Sequence, residues 1–116
     1  MAQKQTIPSE IQAEAQNLID EFNRKNLKHK EFKELGITGY SARIKGKYLY
    51  LDRDDLGKPS PICRLQWNGK MDDWGFAIYM YSDSRYDSEE WFFPGVEYVD
   101  GTVTGAMKAG MKAYDI

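Results

Sequence analysis

Along the first part of the chain the apolar residues Ile11, Ala15, Leu18, Ile19 and Phe22 recur at spacings of three and four. That spacing lines one face of an α-helix, and Pro8 suits its first turn, where a missing N–H costs nothing. The stripe fades after Phe22, resumes with Phe32 and Leu35, and stops at Gly36, so a break near Asn26 and a helix end at Gly36 are expected. From Thr38 the period changes to two, the signature of a strand with one buried face. A two-residue turn at Lys45 and Gly46 would pair Arg43 with Tyr48, Ala42 with Leu49, Ser41 with Tyr50 and Tyr40 with Leu51. Tyr40, Ala42, Ile44, Leu49 and Leu51 then share a face. A three-residue turn would mix Leu49 and Leu51 with Arg43 and Lys45, so the pattern favours the shorter loop.

Asp52 to Pro61 carries acids, Gly57, Pro59 and Pro61, a composition that reads as a loop. Strands follow over Ile62–Trp67 and Trp74–Tyr81, and Trp91, Phe92 and Phe93 read as a short last strand stopped by Pro94 and Gly95. Asp100 is the expected N-cap of a closing helix with Val103, Met107, Gly110, Met111 and Tyr114 on one face. Gly105, Ala106, Ala109, Gly110 and Ala113 make that helix thin enough to lie close to a sheet. The expected architecture is a single α+β domain over residues 1–116. It has an N-terminal helix, a four- to five-stranded antiparallel meander and a C-terminal helix, with both helices on one face of the sheet.

Composition narrows the classes of protein that this pattern can serve. With 41% hydrophobic and 14% aromatic residues the chain can build a core, despite 29% charged residues. Cys63 is the sole cysteine and cannot form an internal disulfide, and no secretory leader pattern opens the chain, so a cytoplasmic location is the expectation. Apolar runs such as Phe76 to Tyr81 are far shorter than the roughly 20 residues of a membrane-spanning helix, and no membrane association is expected. Charge is unevenly spread. Arg24 to Lys47 holds eight bases against two acids, a net +6, whereas Asp72 to Asp100 holds one base against eight acids, a net −7. Such polarity can be paired internally, paired across a dimer, or offered to an anionic partner.

The chemical inventory speaks for binding over catalysis. His29 lies among Lys28, Lys30 and Lys33, which depress its basicity, and no neighbouring carboxylate orients it. One His and one Cys cannot build a zinc site of nitrogen and sulfur ligands. Cys63 alternates with Leu65 and Trp67, a pattern of buried, inert thiol. Gly36 and Gly39 lack the rest of a dinucleotide fingerprint, and Asp83, Asp87, Glu89 and Glu90 lack the central glycine and spacing of a calcium loop. No catalytic residue, metal or cofactor is assigned.

One surface stands out. Opposite the apolar face of the hairpin lie Arg43, Tyr48 and Tyr50, and the same parity in the later strands brings Arg64, Tyr79 and Tyr81 beside them. Tyrosine offers a stiff contact area with a hydroxyl, and arginine stacks on its ring or forks to a carboxylate or phosphate. This face is read as a partner-binding surface, for a second copy of the chain in a homodimer or for another protein. Ordinary half-exposed strand tyrosines are the plain alternative. A nucleic-acid interface using the basic region 24–47, and a small-molecule enzyme or carrier without a recognisable motif, are the other readings.

The strings "PICRLQW", "WGFAIYMYS", "YDSEEWFFPG" and "VDGTVTGAMKAGMKAY", within Pro61 to Tyr114, resemble a group of small uncharacterised bacterial proteins of similar length. The resemblance implies a stand-alone bacterial protein and brings no activity or site residue with it.

Overall fold

Helix α1 spans Ser9–Asn26, with Glu10 in its first turn and Arg24 and Lys25 in its last, charges that complement the helix dipole. Its stripe turns inward: Ala15, Ile19 and Phe22 are buried, and Ile11 and Leu18 pack against them. The structure is a computed structural model that describes residues 6–26, 39–55, 58–82, 84–89 and 93–114. The described helix runs to Asn26, and the expected break there is not tested, because the residues that follow, with His29 and the expected continuation through Phe32, Leu35 and Gly36, lie outside the described residues.

Strands β1 (Gly39–Lys45), β2 (Tyr48–Asp55), β3 (Lys58–Gln66), β4 (Gly75–Met80) and β5 (Arg85–Asp87) follow one another in a single antiparallel meander. The first hairpin corrects the expected register. Arg43 pairs with Tyr50 and Lys45 with Tyr48, two residues along from the predicted pairing, because the turn is Gly46–Lys47. Gly46 has φ +62°, and a glycine at the first turn position suits the twist of the flanking strands. A shift of two preserves side-chain parity, so alternation alone could not tell the registers apart. Ile44 lies at the tip of the sheet and is 39% exposed despite its core-side parity.

Of the expected loop from Asp52 to Pro61, the described residues 52–55 and 58–61 are instead paired strand, with Asp54 opposite Pro59 and Asp52 opposite Pro61. Two features reconcile the prolines with a ladder. The β3–β4 pairing runs only from Gln66–Gly75 to Cys63–Ile78, so the far end of β3 has a neighbour on one side alone. The Pro61 carbonyl accepts from the Tyr81 hydroxyl at 2.9 Å, so this backbone faces away from β2, where no ladder N–H is required. A bulge between Leu51 and Asp52 leaves Ile62 unpaired and lets Ile62 and Cys63 both be buried. The last described strand is β5. Of the strand expected at Trp91–Phe93, Phe93 is in a bend, and Trp91 and Phe92 lie outside the described residues.

A short 3-10 turn, Val96–Tyr98, leads to helix α2, Val103–Ala113. Its N-cap is Thr102, whose hydroxyl accepts from the Gly105 N–H at 2.9 Å; Asp100 acts one step earlier, accepting from the Thr102 amide and hydroxyl. Both helices pack on the same face of the sheet and touch each other. Ile19 and Phe22 of α1, Val103 and Met107 of α2, and Leu49, Leu51, Ile62, Leu65 and Ile78 of the sheet form one core. Each such side chain contributes roughly 1.5–3 kcal/mol on burial. The Tyr40 hydroxyl donates to the Met107 carbonyl at 2.8 Å and so ties the sheet to α2. No described helix is long and apolar enough to cross a membrane.

Candidate binding face

Both described helices lie on one side of the sheet, and among the described residues no helix packs on the other. Parity decides which residues belong to that other side: β1 offers Arg43 and Lys45, β2 Tyr48, Tyr50 and Asp52, β3 Arg64 and Gln66, β4 Gly75, Ala77 and Tyr79, and β5 Tyr86. These residues make a layer of rings and guanidinium groups. Tyr50 of β2 and Tyr86 of β5 meet above the intervening strands, centroids 5.3 Å apart and edge to face, and Tyr79 packs on Tyr86 at 5.0 Å. Ala77, a small residue in the middle of the face, is only 3% exposed as a result.

The two arginines of the face are held differently. Arg43 lies over the Tyr50 ring at 5.0 Å and forks to Asp52, Nε to Oδ2 at 2.6 Å and Nη2 to Oδ1 at 3.2 Å. Its charge is answered within the chain, and that bond to Asp52 raises its pKa further. The Asp52 carboxylate is nearly buried, whereas the Arg43 side chain is mostly exposed. Tyr86, reached by Arg43 Nη2 at 3.5 Å, has its pKa pushed up to about 12, first by burial and then by the Asp52 charge. Arg64 lies 4.4 Å over the Tyr48 ring and 5.6 Å from that of Tyr86, and makes no ion pair or hydrogen bond with a described residue. Lys47 lies on Tyr48 as well, at 5.5 Å. The face therefore carries the positive charges of Lys45, Lys47 and Arg64, none of which forms an ion pair with a described residue, whereas Asp52 is taken by Arg43; Asp87 and Glu89 flank Ser88 at its β5 edge.

Beside Arg64 opens a cleft of about 250 Å³ lined by Arg64, Gln66, Gly75, Phe76, Ala77 and Ser88. Gln66 is oriented across its rim by donating to Asn68 Oδ1 at 3.2 Å. Arg64 thus lines the cleft from its place over the Tyr48 ring, and a guanidinium, with its fork of N–H donors, suits recognition of a carboxylate or phosphate there.

The structure thus brings Arg43, Tyr48, Tyr50, Arg64 and Tyr79 together. Tyr81 is half exposed at their margin, touching Tyr79 at 4.9 Å and the Tyr114 ring at 5.3 Å. Where the β3–β4 ladder ends, the Tyr81 hydroxyl donates to the Pro61 carbonyl and the Tyr114 hydroxyl to that of Tyr79, so both close a gap in the sheet. Sequence reasoning missed two members of the face. Asp52 opens the stretch whose composition reads as a loop, although the alternation of Tyr48, Tyr50 and Asp52 with Leu49, Leu51 and Arg53 extends to it. Tyr86 sits in a strand of three residues, too short for any periodicity to register. Arg53, on the opposite parity, is buried with Nη1 3.8 Å from the Met111 sulfur. Cys63 is fully buried on the core side, and burial raises its thiol pKa.

Comparisons with protein-family models, with curated proteins and with solved structures return no match. What defines the chain is its own geometry, an α+β domain in which the sheet face opposite the described helices is a layer of tyrosines meeting edge to face with arginines over their rings.

Proposed function

We propose that this protein is a binding module that engages an acidic segment of a partner protein on the sheet face opposite the described helices. The observation that carries this reading is Arg64: its guanidinium lies over the Tyr48 ring, on which Lys47 also lies, and forms no ion pair or hydrogen bond with a described residue. Charge complementarity then favours an anionic partner. A second copy docked face to face about a two-fold axis through Arg64 would bring these bases against their own equivalents, which disfavours that form of the homodimer reading. Base stacking is disfavoured too, because the rings meet edge to face and guanidinium groups cover them, leaving few open ring faces for a single strand.

The test is titration of isotope-labelled protein with acetylated, amidated hexaglutamate at low salt, monitored by amide and arginine Nε chemical shifts. Shifts centred on Tyr48, Arg64, Gln66 and Gly75, weakening as salt rises, are expected. No shift at millimolar peptide, or shifts confined to the helices, would remove the reading. Hexalysine should be inert. Tighter binding of oligothymidylate at the same residues would replace the proposal by the nucleic-acid one, and sedimentation reporting a dimer that buries Tyr48 and Tyr50 would replace it by self-association.

A further inference from the structure

We infer that the cleft beside Arg64 is a receptor for one acidic side chain of that partner, and that Gly75 is glycine in order to keep it open. This deepens the reading above and rests on it. Of the eight described glycines, Gly39, Gly46, Gly69, Gly95 and Gly101 have positive φ. Gly105 and Gly110 are packed so tightly that a Cβ would come within 2.1 Å and 2.5 Å of a neighbouring atom. Gly75 has neither reason. It lies in strand β4, has no left-handed φ, and a Cβ there would meet nothing closer than 3.4 Å. Glycine weakens a strand interior and has no side chain to pack, so its local cost has no local compensation. What the missing side chain does provide is space: Gly75 and Ala77 line the cleft whose wall is Arg64.

The size and lining of the cleft select the occupant. At about 250 Å³ it lies below the range of roughly 300–1,000 Å³ typical of drug-sized ligands, and suits a single side chain. Gly75 and Ala77 lie within the β3–β4 ladder opposite Gln66 and Arg64. The donors are side chains: the Arg64 guanidinium, the Gln66 amide and the Ser88 hydroxyl, all lining the cleft. A carboxylate reaching in from an extended segment would take a fork from Arg64, while neighbouring acids of that segment meet Lys45 and Lys47.

The experiment compares hexaglutamate binding by the wild-type chain, Gly75→Ala, Gly75→Val and Arg64→Gln, each first checked by thermal melt and amide spectrum. Both Gly75 variants should fold with unchanged or raised melting temperature, and Gly75→Val and Arg64→Gln should each lose about tenfold in affinity. Gly75→Ala should lie between, which keeps the test decisive should valine perturb the strand. Hexaglutamate binding that stays within twofold in both Gly75 variants would overturn the cleft while leaving the face reading intact. A wild-type protein indifferent to hexaglutamate would remove both. Equal affinity for an acid-free peptide ending in a free carboxylate would assign the cleft to a chain terminus and overturn the proposal.

Discussion

Helix α2 can approach the sheet because Gly110 has no side chain, and Gly110→Ala measures how close that approach is. In an exposed helix the change would stabilise by about 1 kcal/mol. Here the new Cβ would lie 2.5 Å from Ile62 Cγ2 and 2.5 Å from the Tyr40 hydroxyl oxygen, both far inside van der Waals contact. Ile62 is 1% exposed and has nowhere to go, and the Tyr40 hydroxyl is held by its 2.8 Å bond to the Met107 carbonyl. Overpacking of a filled core costs about 1–3 kcal/mol, and displacing the hydroxyl adds about 1 kcal/mol. These costs outweigh the helix gain, and a net loss of about 1–3 kcal/mol is expected, near 4 °C in melting temperature per kcal/mol for a chain of this size. Urea unfolding followed by tryptophan fluorescence and far-ultraviolet dichroism would measure it, with an unchanged slope. In the Tyr40→Phe background the hydroxyl is gone, so Gly110→Ala should cost about 1 kcal/mol less than in the wild type. A neutral or stabilising Gly110→Ala in the wild-type background would refute the close approach of α2.

Two further expectations concern the edge of the sheet and its open face. The Asn23 side chain bonds both the N–H and the C=O of Tyr40, at 2.8 Å and 2.9 Å, standing in for a further strand beside β1; Asn23→Ala should cost about 1–2 kcal/mol and speed hydrogen exchange at the Tyr40 amide, and an unchanged exchange rate would sink the idea. Tyr86 keeps its proton to about pH 12 in the fold, whereas an unfolded tyrosine loses it near pH 10. Over that window the folded state holds more protons, so stability is fully present below about pH 10 and falls as pH rises through it. Cys63, also raised by burial, acts in the same direction from lower pH, so the informative quantity is the difference between wild type and Tyr86→Phe, whose alkaline loss should be shallower; identical curves by denaturant titration would contradict the assignment.

Where the physics is local, the chain announces its own structure. The three- and four-residue spacing of Ile11, Ala15, Leu18, Ile19 and Phe22 marks α1, and the small residues of Gly105 to Ala113 mark a helix that lies close to its neighbour. The period of two over Tyr40 to Leu51 places Leu49 and Leu51 inside and Tyr48 and Tyr50 outside, whatever the register, because side-chain parity is a property of each strand by itself. The order helix, antiparallel meander, helix follows from these local signals. Pairing decisions are not local. Gly46–Lys47 and Lys45–Gly46 turns differ by one residue, which shifts the pairing by two and preserves every face, so only the positive φ of Gly46 within the formed hairpin selects one. Pro59 and Pro61 read as loop until β4 stops short and leaves their nitrogen side without a ladder. The grip of Arg43 on Asp52, the seat of Arg64 over the Tyr48 ring and the meeting of Tyr50 with Tyr86 join residues on different strands. Their distances are set by strand order, twist and bulge, quantities that exist only once the whole sheet has formed.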